Sequence, residues 1–414
     1  MASSLSEADL AAGARLMARL DAFAAFTDEP GRLTRLFLSE AHRRAAAAFI
    51  GWCGEAGLAA RIDPAGNVVA RYEGKRNGAP ALMLGSHIDT VRDAGRYDGN
   101  YGALAALAVV QGLSAAGERL DHAIEIVAFG DEEGVRFRST LSGSRALAGA
   151  YFEDALDQKD STGVAMRDAL KAFGGDPDRA SSIRANHVAC FVETHIEQGP
   201  VLEAEGLPLG IVTAINGATR LEVGVDGIAG HAGATPMNLR RDALTAAAEM
   251  ALAIEARARR ETDLVATIGR LEVWPGATNV IPGHVQFAID VRAPDDERRA
   301  AALADIKARI DAIAEARGVG ATVAKTHEAN AFVCDPRVVA GLTRAVDQLG
   351  VQPRLLPSGA GHDTMVMGAL CPAGMLFVRC KGGISHNPLE SITVGDCAYG
   401  LAALTRFVRD FKIT

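Results

Sequence analysis

Five short segments that combine histidine or acidic residues with small residues lie in a fixed order along this chain, at 85–89, 97–99, 130–134, 193–199 and 385–387. Together they offer three histidines and several carboxylates, which is enough to hold two divalent cations if one carboxylate bridges them. Two such cations can polarise an amide carbonyl and activate water near neutral pH. A fold that uses all five segments must place residue 87 beside residue 386, so one domain must be built from distant parts of the chain.

The first three segments suggest distinct roles for their side chains. His87 is predicted to be a metal ligand, and the carboxylate of Asp89, two residues on, is predicted to hold the other nitrogen of its ring. Asp98 is predicted to bridge, because each of its oxygens can bind one ion. Glu133 is predicted to be a ligand and Glu132 the general base, since neighbouring carboxylates raise one pKa and suit that group to proton transfer. In isolation each segment is also typical of a turn or a charged loop.

The last two segments complete the set of ligands. His195 follows an apolar strand, His386 lies in a glycine-rich loop, and both are predicted to bind metal. Gln198 is close enough to His195 in sequence to contact a bound substrate. The remaining histidines with no such setting are predicted to be structural: His42, His122, His187, His284 and His327.

Apolar periodicity predicts an α/β sheet. Helices are predicted at 7–25, 36–57 and 102–116. Strands are predicted at 68–72, 81–85 and 123–129. His87 and the pair Glu132 and Glu133 fall just beyond the carboxyl ends of two of these strands, where open α/β sheets bind ligands.

A different pattern over residues 215–327 predicts an inserted domain. Its order of strand, helix, two strands and helix is that of a two-layer α+β unit. Residues 1–214 and 328–414 would then form one discontinuous catalytic, metal-binding domain, because His386 must meet His87.

Composition argues against several classes of partner. The formal net charge of −8 disfavours nucleic acid, because phosphate binding needs a basic face. No apolar run approaches the roughly 20 residues that cross a bilayer, and the first residues show no secretion signal. The six cysteines lack Cys-x-x-Cys spacing, so buried free thiols in a reducing cytoplasm are predicted. No glycine-rich fingerprint of a nucleotide-binding oxidoreductase opens a helix.

With these residues in view, the chain resembles the amidase/hydantoinase/carbamoylase family of the di-zinc peptidase clan over essentially its whole length. The most specific segments are 193–200, 230–237 and 278–283, although Ala234 stands where many relatives have threonine. The resemblance implies the same ligands and base as the spacing does. The cofactor would be two zinc ions, with manganese, cobalt or nickel as alternatives. It also implies that the inserted domain is a dimerisation and lid domain that makes the protein a homodimer.

The resemblance also implies a set of substrate contacts: Gln198, Arg220, His231, Asn279, Arg292 and Gly361. The planar fork of Arg292 suits a carboxylate, and His231, reaching across from the partner subunit, could donate a hydrogen bond to an oxyanion. An arginine at position 220 is found in members that cleave allantoate. The alternatives are a solvated arginine at positions 220 and 292, a loop histidine at 231, a turn asparagine at 279 and a plain tight turn at 361.

The implied reaction is hydrolysis of a small ureido carboxylate, with release of ammonia and carbon dioxide. An N-carbamoyl-L-amino acid and allantoate are both open as substrates. An exopeptidase or aminoacylase of the same clan shares the metal ligands and is the alternative enzyme. A metal-binding protein without catalysis would have lost a ligand or the base, and none is missing from this sequence.

Overall fold

A computed structural model describes residues 5–413, and within them the chain forms eleven α-helices and fifteen β-strands. The helices are α1 Glu7–Ala24, α2 Glu40–Glu55, α3 Asn100–Ala115, α4 Ser142–Ala148, α5 Met166–Phe173, α6 Val201–Glu205, α7 Ala243–Ala258, α8 Asp296–Arg317, α9 Pro336–Asp347, α10 Asp363–Met367 and α11 Val394–Asp410. The strands are β1 Ala59–Ile62, β2 Val68–Tyr72, β3 Ala81–His87, β4 Ala123–Phe129, β5 Val188–Ile196, β6 Leu209–Ile215, β7 Gly217–Asp226, β8 Gly230–His231, β9 Val265–Trp274, β10 Val280–Ile281, β11 His284–Ala293, β12 Gly320–Ala329, β13 Phe332–Val333, β14 Leu355–Ser358 and β15 Ala373–Val378. These elements divide between two compact units.

The first unit comprises Met1–Thr213, Cys334–Leu356 and Ala360–Thr414. Its sheet has the strand order β1-β2-β4-β3-β5-β15-β6, and the four central strands β4, β3, β5 and β15 are parallel. Every residue of β3 and of β15 is buried, as expected of strands that are covered on both faces. One apolar core joins this sheet to α1, α2, α3, α9 and α11.

The second unit comprises Ala214–Val333 and Pro357–Gly359. Its four antiparallel strands follow the order β12-β7-β11-β9. Along β11, buried and half-buried residues alternate, because α7 and α8 cover one face of the sheet and leave the other face polar. A separate two-stranded ladder pairs β8 with β10.

The structure agrees closely with the elements that periodicity predicts. The strands predicted at 68–72 and 123–129 have those bounds. The helices predicted at 7–25, 36–57 and 102–116 are observed at Glu7–Ala24, Glu40–Glu55 and Asn100–Ala115, so their ends differ from the prediction by four residues or fewer. All six cysteines are buried and unpaired, as predicted. Within residues 5–413, every helix is too short or too polar to span a membrane.

Candidate metal centre

All five predicted segments meet at one edge of the sheet in the first unit. His87 ends β3 beside Phe129 of β4, after which the 130–134 loop begins. His195 lies on β5 beside Phe377 of β15. Because these four strands are parallel, their carboxyl ends share an edge, and the loop after β15 brings His386 to the same place. Parallel strand order therefore assembles residues that are up to 299 positions apart in the sequence.

Asp98 lies at the centre of the cluster, and its two oxygens face different groups. Oδ1 is 3.1 Å from Nε2 of His195 and 3.6 Å from Nε2 of His87. Oδ2 is 3.1 Å from Nε2 of His386, which is itself 3.7 Å from Oε2 of Glu133. Each oxygen thus faces its own pair of ligand-type groups, which is the arrangement that a bridging carboxylate needs.

The residue after Asp98 must be a glycine. Gly99 has φ +63°, and a Cβ atom there would lie 2.4 Å from the ring of His87. Its backbone N–H also donates to Nε2 of His195 over 3.2 Å. The close approach of backbone to both imidazoles keeps the two rings packed around Asp98.

Backbone carbonyls fix the tautomers of the two buried histidines. Nδ1 of His87 lies 3.0 Å from the carbonyl of Asp89, and Nδ1 of His195 lies 2.9 Å from that of Ile196. A carbonyl can only accept, so Nδ1 carries the hydrogen in each neutral ring. Nε2 is then the ring nitrogen that faces Asp98 and can bind a metal, and in His195 it accepts the N–H of Gly99 instead.

The predicted role of the Asp89 side chain needs a correction. Its carboxylate lies 3.9 Å from Nδ1 of His87, beyond hydrogen-bond distance, and the backbone carbonyl of the same residue orients the ring instead. The carboxylate accepts from the backbone N–H groups of Glu132 and Glu133, both over 3.2 Å. Because both of its oxygens are engaged by that loop, Asp89 positions the acidic pair rather than the imidazole.

Burial and neighbouring charges perturb the acidic pair. Burial raises the pKa of Glu132 well above its ordinary value, and the carboxylates of Glu133, Asp363 and Asp89 add to the effect. Burial and the charge of Asp98 raise the pKa of Glu133 to about 7. For Asp98 burial acts the same way, but hydrogen bonds with His195 and the other two histidines outweigh it and hold the pKa well below its usual range. Three carboxylates close together favour a bound cation, because a cation offsets the repulsion between their negative charges.

The side chains present fit divalent cations. Oε1 of Glu133 is buried and has no hydrogen-bond partner among the described residues. Ligand atoms of His87, Asp98 and His195 lie within 4.8 Å of one another, and so do those of Asp98, Glu133 and His386. Imidazole nitrogens combined with carboxylate oxygens suit zinc, manganese, cobalt or nickel. These two groups, which share Asp98, would each hold one ion.

Polar residues around Asp98 complete the cluster. Nε2 of Gln198 donates to Oδ2 of Asp98 and to Oγ of Ser385, each over 3.0 Å, so this predicted substrate contact lies at the candidate centre. Glu390 accepts from the backbone N–H groups of Tyr97 and Asp98 and from the Ser385 hydroxyl. Sequence reasoning missed Glu390. Its position four residues after His386 was the available signal.

His231 and Asn279 meet in the second unit through the short ladder of β8 and β10. His231 pairs with Val280, and the N–H of Ala232 donates to the carbonyl of Asn279 over 2.9 Å. The N–H of Gly233 donates to Nδ1 of His231 over 3.1 Å. The neutral ring therefore carries its hydrogen on Nε2, and the exposed imidazole has a donor to offer.

Arg220 and Arg292 share an acidic partner that the sequence analysis did not single out. Asp290 faces Arg220 across the β7–β11 pair, and its carboxylate lies 3.1 Å from Nε of that arginine. Arg292 donates to the same carboxylate through Nε over 2.8 Å and Nη2 over 3.1 Å. Its Nη1 donates to the carbonyl of Gly359 over 2.7 Å. The alternation of side chains along β11, which puts residues 290 and 292 on one face, was the signal for Asp290.

Gly361 lies in the first unit, in the exposed turn before α10. Among the described residues, a Cβ atom there would have one neighbour within 4 Å, the Sδ atom of Met365 at 3.8 Å, which is an ordinary contact distance. The turn is anchored by Thr364, whose backbone N–H and hydroxyl both donate to Glu193 of β5. Gly361 is therefore open to a ligand, and its role in substrate binding stays a prediction.

The chain matches a family model, curated relatives and solved structures over most of its length. The model of "Peptidase family M20/M25/M40" matches residues 83–410. An N-carbamoyl-L-amino acid amidohydrolase of Geobacillus stearothermophilus is 43% identical over 95% of this chain and 97% of its own length. An allantoate deiminase of Arabidopsis thaliana is 40% identical over 94% of this chain and 80% of its own. The crystal structure of an amidase of the hydantoinase/carbamoylase family from Burkholderia multivorans has a TM-score of 0.90 at 33% identity and covers 95% of this chain and 96% of that one.

Proposed function

Because the chain belongs to peptidase family M20/M25/M40, we propose that it is a metal-dependent amidohydrolase that cleaves the ureido C–N bond of a small carboxylate substrate. The substrate would be an N-carbamoyl-L-amino acid or allantoate, the compounds named in its relatives. The products would be ammonia, carbon dioxide and the amino compound that carried the ureido group.

The arrangement of ligand-type groups around Asp98 carries this proposal. Oδ1 of the buried Asp98 carboxylate faces the imidazoles of His87 and His195. Its Oδ2 faces the imidazole of His386, which in turn lies beside Glu133. When two divalent cations are bound there, they would polarise the ureido carbonyl and make water more acidic. Zinc is our first choice, and manganese, cobalt and nickel suit the same ligands.

Glu132 would move the proton that the reaction requires. It would accept a proton from the attacking water as the water oxygen bonds to the ureido carbon. When the C–N bond breaks, it would return that proton to the departing nitrogen. The position of Glu132 supports this role. Its carboxylate lies near the ligand-type side chains of His87 and Glu133, and Asp89 anchors the loop of the two glutamates through two backbone N–H groups.

Arg292 would bind the substrate carboxylate. Asp290 and Gly359 use three of its five N–H donors, which leaves one hydrogen on Nη1 and one on Nη2. A planar guanidinium held in this way can still donate to both oxygens of a carboxylate. By the family resemblance, the amides of Asn279 and Gln198 would bind other polar groups of the substrate. Arg220, beside Asp290, would bind a second polar group such as the extra ureido arm of allantoate.

His231 would stabilise negative charge on the ureido oxygen. Its Nε2–H is free to donate, because Nδ1 already accepts from Gly233. We propose that His231 of the partner subunit serves each active site, with the inserted unit acting as both lid and dimerisation domain.

Exposed apolar side chains support dimerisation through the second unit. Within residues 5–413, eight of the fifteen large apolar side chains that are exposed lie in this unit, which holds less than a third of the chain. Leu252 of α7 is 68% exposed, and Val265 of the edge strand β9 is 49% exposed. Exposed apolar side chains on an edge strand are typical of a protein interface. The six buried thiols fit our proposal of a reducing cytoplasm.

A substrate panel tests the proposed activity. The zinc- and manganese-loaded protein would be incubated with several N-carbamoyl-L-amino acids, N-carbamoyl-β-alanine, allantoate, an N-acetyl amino acid and a dipeptide, and free ammonia and free amine would be measured. We expect ammonia only from the ureido compounds. Turnover of the N-acetyl amino acid or the dipeptide, with none of the ureido compounds, would replace this proposal with an aminoacylase or exopeptidase.

A further inference from the structure

Glu390 is a buried carboxylate that the proposed chemistry leaves without a role. It lies four residues after His386 and is 5% exposed. Nothing in the reaction needs another acid there, because Glu132 would transfer the proton and Asp98 and Glu133 would be the ligands. A buried carboxylate is costly unless its oxygens are fully engaged, so its contacts show what it does.

The two oxygens of Glu390 hold two distant segments of the candidate centre together. Oε1 accepts from the backbone N–H of Tyr97 over 2.7 Å and from that of Asp98 over 3.1 Å. Oε2 lies 3.0 Å from the hydroxyl of Ser385, which is also 3.1 Å from Oδ2 of Asp98 and can donate its one hydrogen to either carboxylate. Gly95 makes this approach possible, since a Cβ atom at that position would lie 2.1 Å from the carboxyl carbon of Glu390.

His386 depends on such support more than the other candidate ligands do. Its side chain is 51% exposed, whereas those of His87 and His195 are 2% and 1% exposed. Those two rings are oriented by backbone carbonyls at Nδ1, and His386 has no bond of that kind among the described residues. Its backbone also has φ +55°, a conformation that a side-chain-bearing residue keeps only when its surroundings hold it.

We propose that Glu390 is a positioning residue that sets the distance between Oδ2 of Asp98 and Nε2 of His386, and so shapes the cation position that these groups share with Glu133. Through the N–H of Asp98 it fixes one side of that position. Through Ser385 it fixes the residue next to His386 on the other side. This inference rests on the proposed metal dependence, but not on the identity of the substrate.

Zinc binding in the absence of substrate tests the role of Glu390. Metal-free protein would be titrated with zinc by calorimetry, and bound zinc would be counted by elemental analysis. Glu390→Ala should weaken the weaker of two binding steps by at least about tenfold, the usual effect of losing a group that orients a ligand. Glu390→Gln should change it by less than about threefold, because its amide oxygen still accepts from both N–H groups and its NH₂ can donate to Ser385.

A control variant separates positioning from general stability. Asp335 caps α9 at the opposite end of β15 and accepts from the N–H groups of Arg337 and Val338. Asp335→Ala should lower the melting temperature and leave both zinc-binding steps unchanged. If Glu390→Ala does not fold, Glu390→Asp, which keeps the charge but shortens the side chain by one methylene, should weaken the same step, because one carboxylate then cannot reach both Tyr97 and Ser385.

Three results would overturn the inference. The first is unchanged zinc binding in folded Glu390→Ala. The second is unchanged zinc binding in Glu390→Asp when Glu390→Ala does not fold. The third is equal weakening in Asp335→Ala. Two zinc-binding steps in the wild-type protein without hydrolysis of any ureido compound would refute the proposed function and leave the positioning role intact.

Discussion

At the scale of single residues, Glu132 and Glu133 are neighbours with different expected roles. Oε1 of Glu133 is buried without a hydrogen-bond partner in the described part of the chain, and Oε2 lies 3.7 Å from Nε2 of His386, so we propose Glu133 as a ligand. We propose Glu132 as the base. Glu132→Gln should keep the metal content near that of the wild type and lower turnover at least about a hundredfold, because the proton acceptor is lost. Glu133→Gln should instead lower the metal content measured by elemental analysis.

The two variants are controls for each other, since each removes one charge from the same loop. Loss of metal from Glu132→Gln, together with full metal content in Glu133→Gln, would mean that the two roles are reversed.

The sequence predicts the ligand residues of this site better than the groups that position them. His87, Asp98, Glu133, His195 and His386 stand in segments whose composition is unusual, and the structure brings all five together. Positioning groups such as Glu390 and Asp290 are ordinary acids in the sequence, and their partners become neighbours only through folding. Asp89 is a further example. Its spacing from His87 predicts a contact between the two residues, but does not show that the contact is made by the backbone carbonyl and not by the side chain.

At the scale of elements, the polar face of the β7–β11 pair is expected to hold the substrate carboxylate. Arg292→Lys should raise the KM for a ureido carboxylate by at least about tenfold, with a smaller change in kcat. A lysine ammonium lacks the planar set of donors with which Arg292 can bind Asp290, Gly359 and a substrate carboxylate at the same time. Steady-state kinetics would measure both constants. Arg270→Lys is the matched control, since Arg270 pairs with Glu222 on the same sheet. An equal rise in KM in both variants would argue for a nonspecific charge effect.

Elements with strong apolar periodicity are predictable from this sequence, and edge elements are less so. β3 begins with the apolar run Ala81–Leu84, and β4 is apolar except for Glu125. The buried residues of α7 and α8 recur at helical spacing, as at Ala302, Ile306 and Ile310 of α8. The edge strand β12 was not predicted, because most of its residues are exposed and its apolar alternation is weak. The order of strands in each sheet was also beyond reach, since pairing between distant segments leaves no local signal.

At the scale of the whole molecule, a shared active site predicts complementation between inactive variants. If His231 of the partner subunit serves each site, a heterodimer of Glu132→Gln and His231→Ala carries both lesions in one site and leaves the other site intact. Mixing the two parents under conditions of subunit exchange should restore about a quarter of wild-type activity, since half the dimers would be heterodimers with one working site. Light scattering would establish the dimer and its exchange. No recovery despite proven exchange would place His231 in its own subunit's site or outside catalysis.

The central claim is that cations held around Asp98 are required to hydrolyse a ureido C–N bond. The most direct test is ammonia release from N-carbamoyl-L-amino acids and allantoate by one preparation, first stripped of metal by exhaustive chelation and then reloaded with zinc, manganese or cobalt. The stripped protein, shown by elemental analysis to be free of metal, should release no ammonia, because its ligands would have nothing to bind and the carbonyl would stay unpolarised. Reloading should restore the activity together with the bound metal. Full ammonia release by the metal-free preparation would contradict the account.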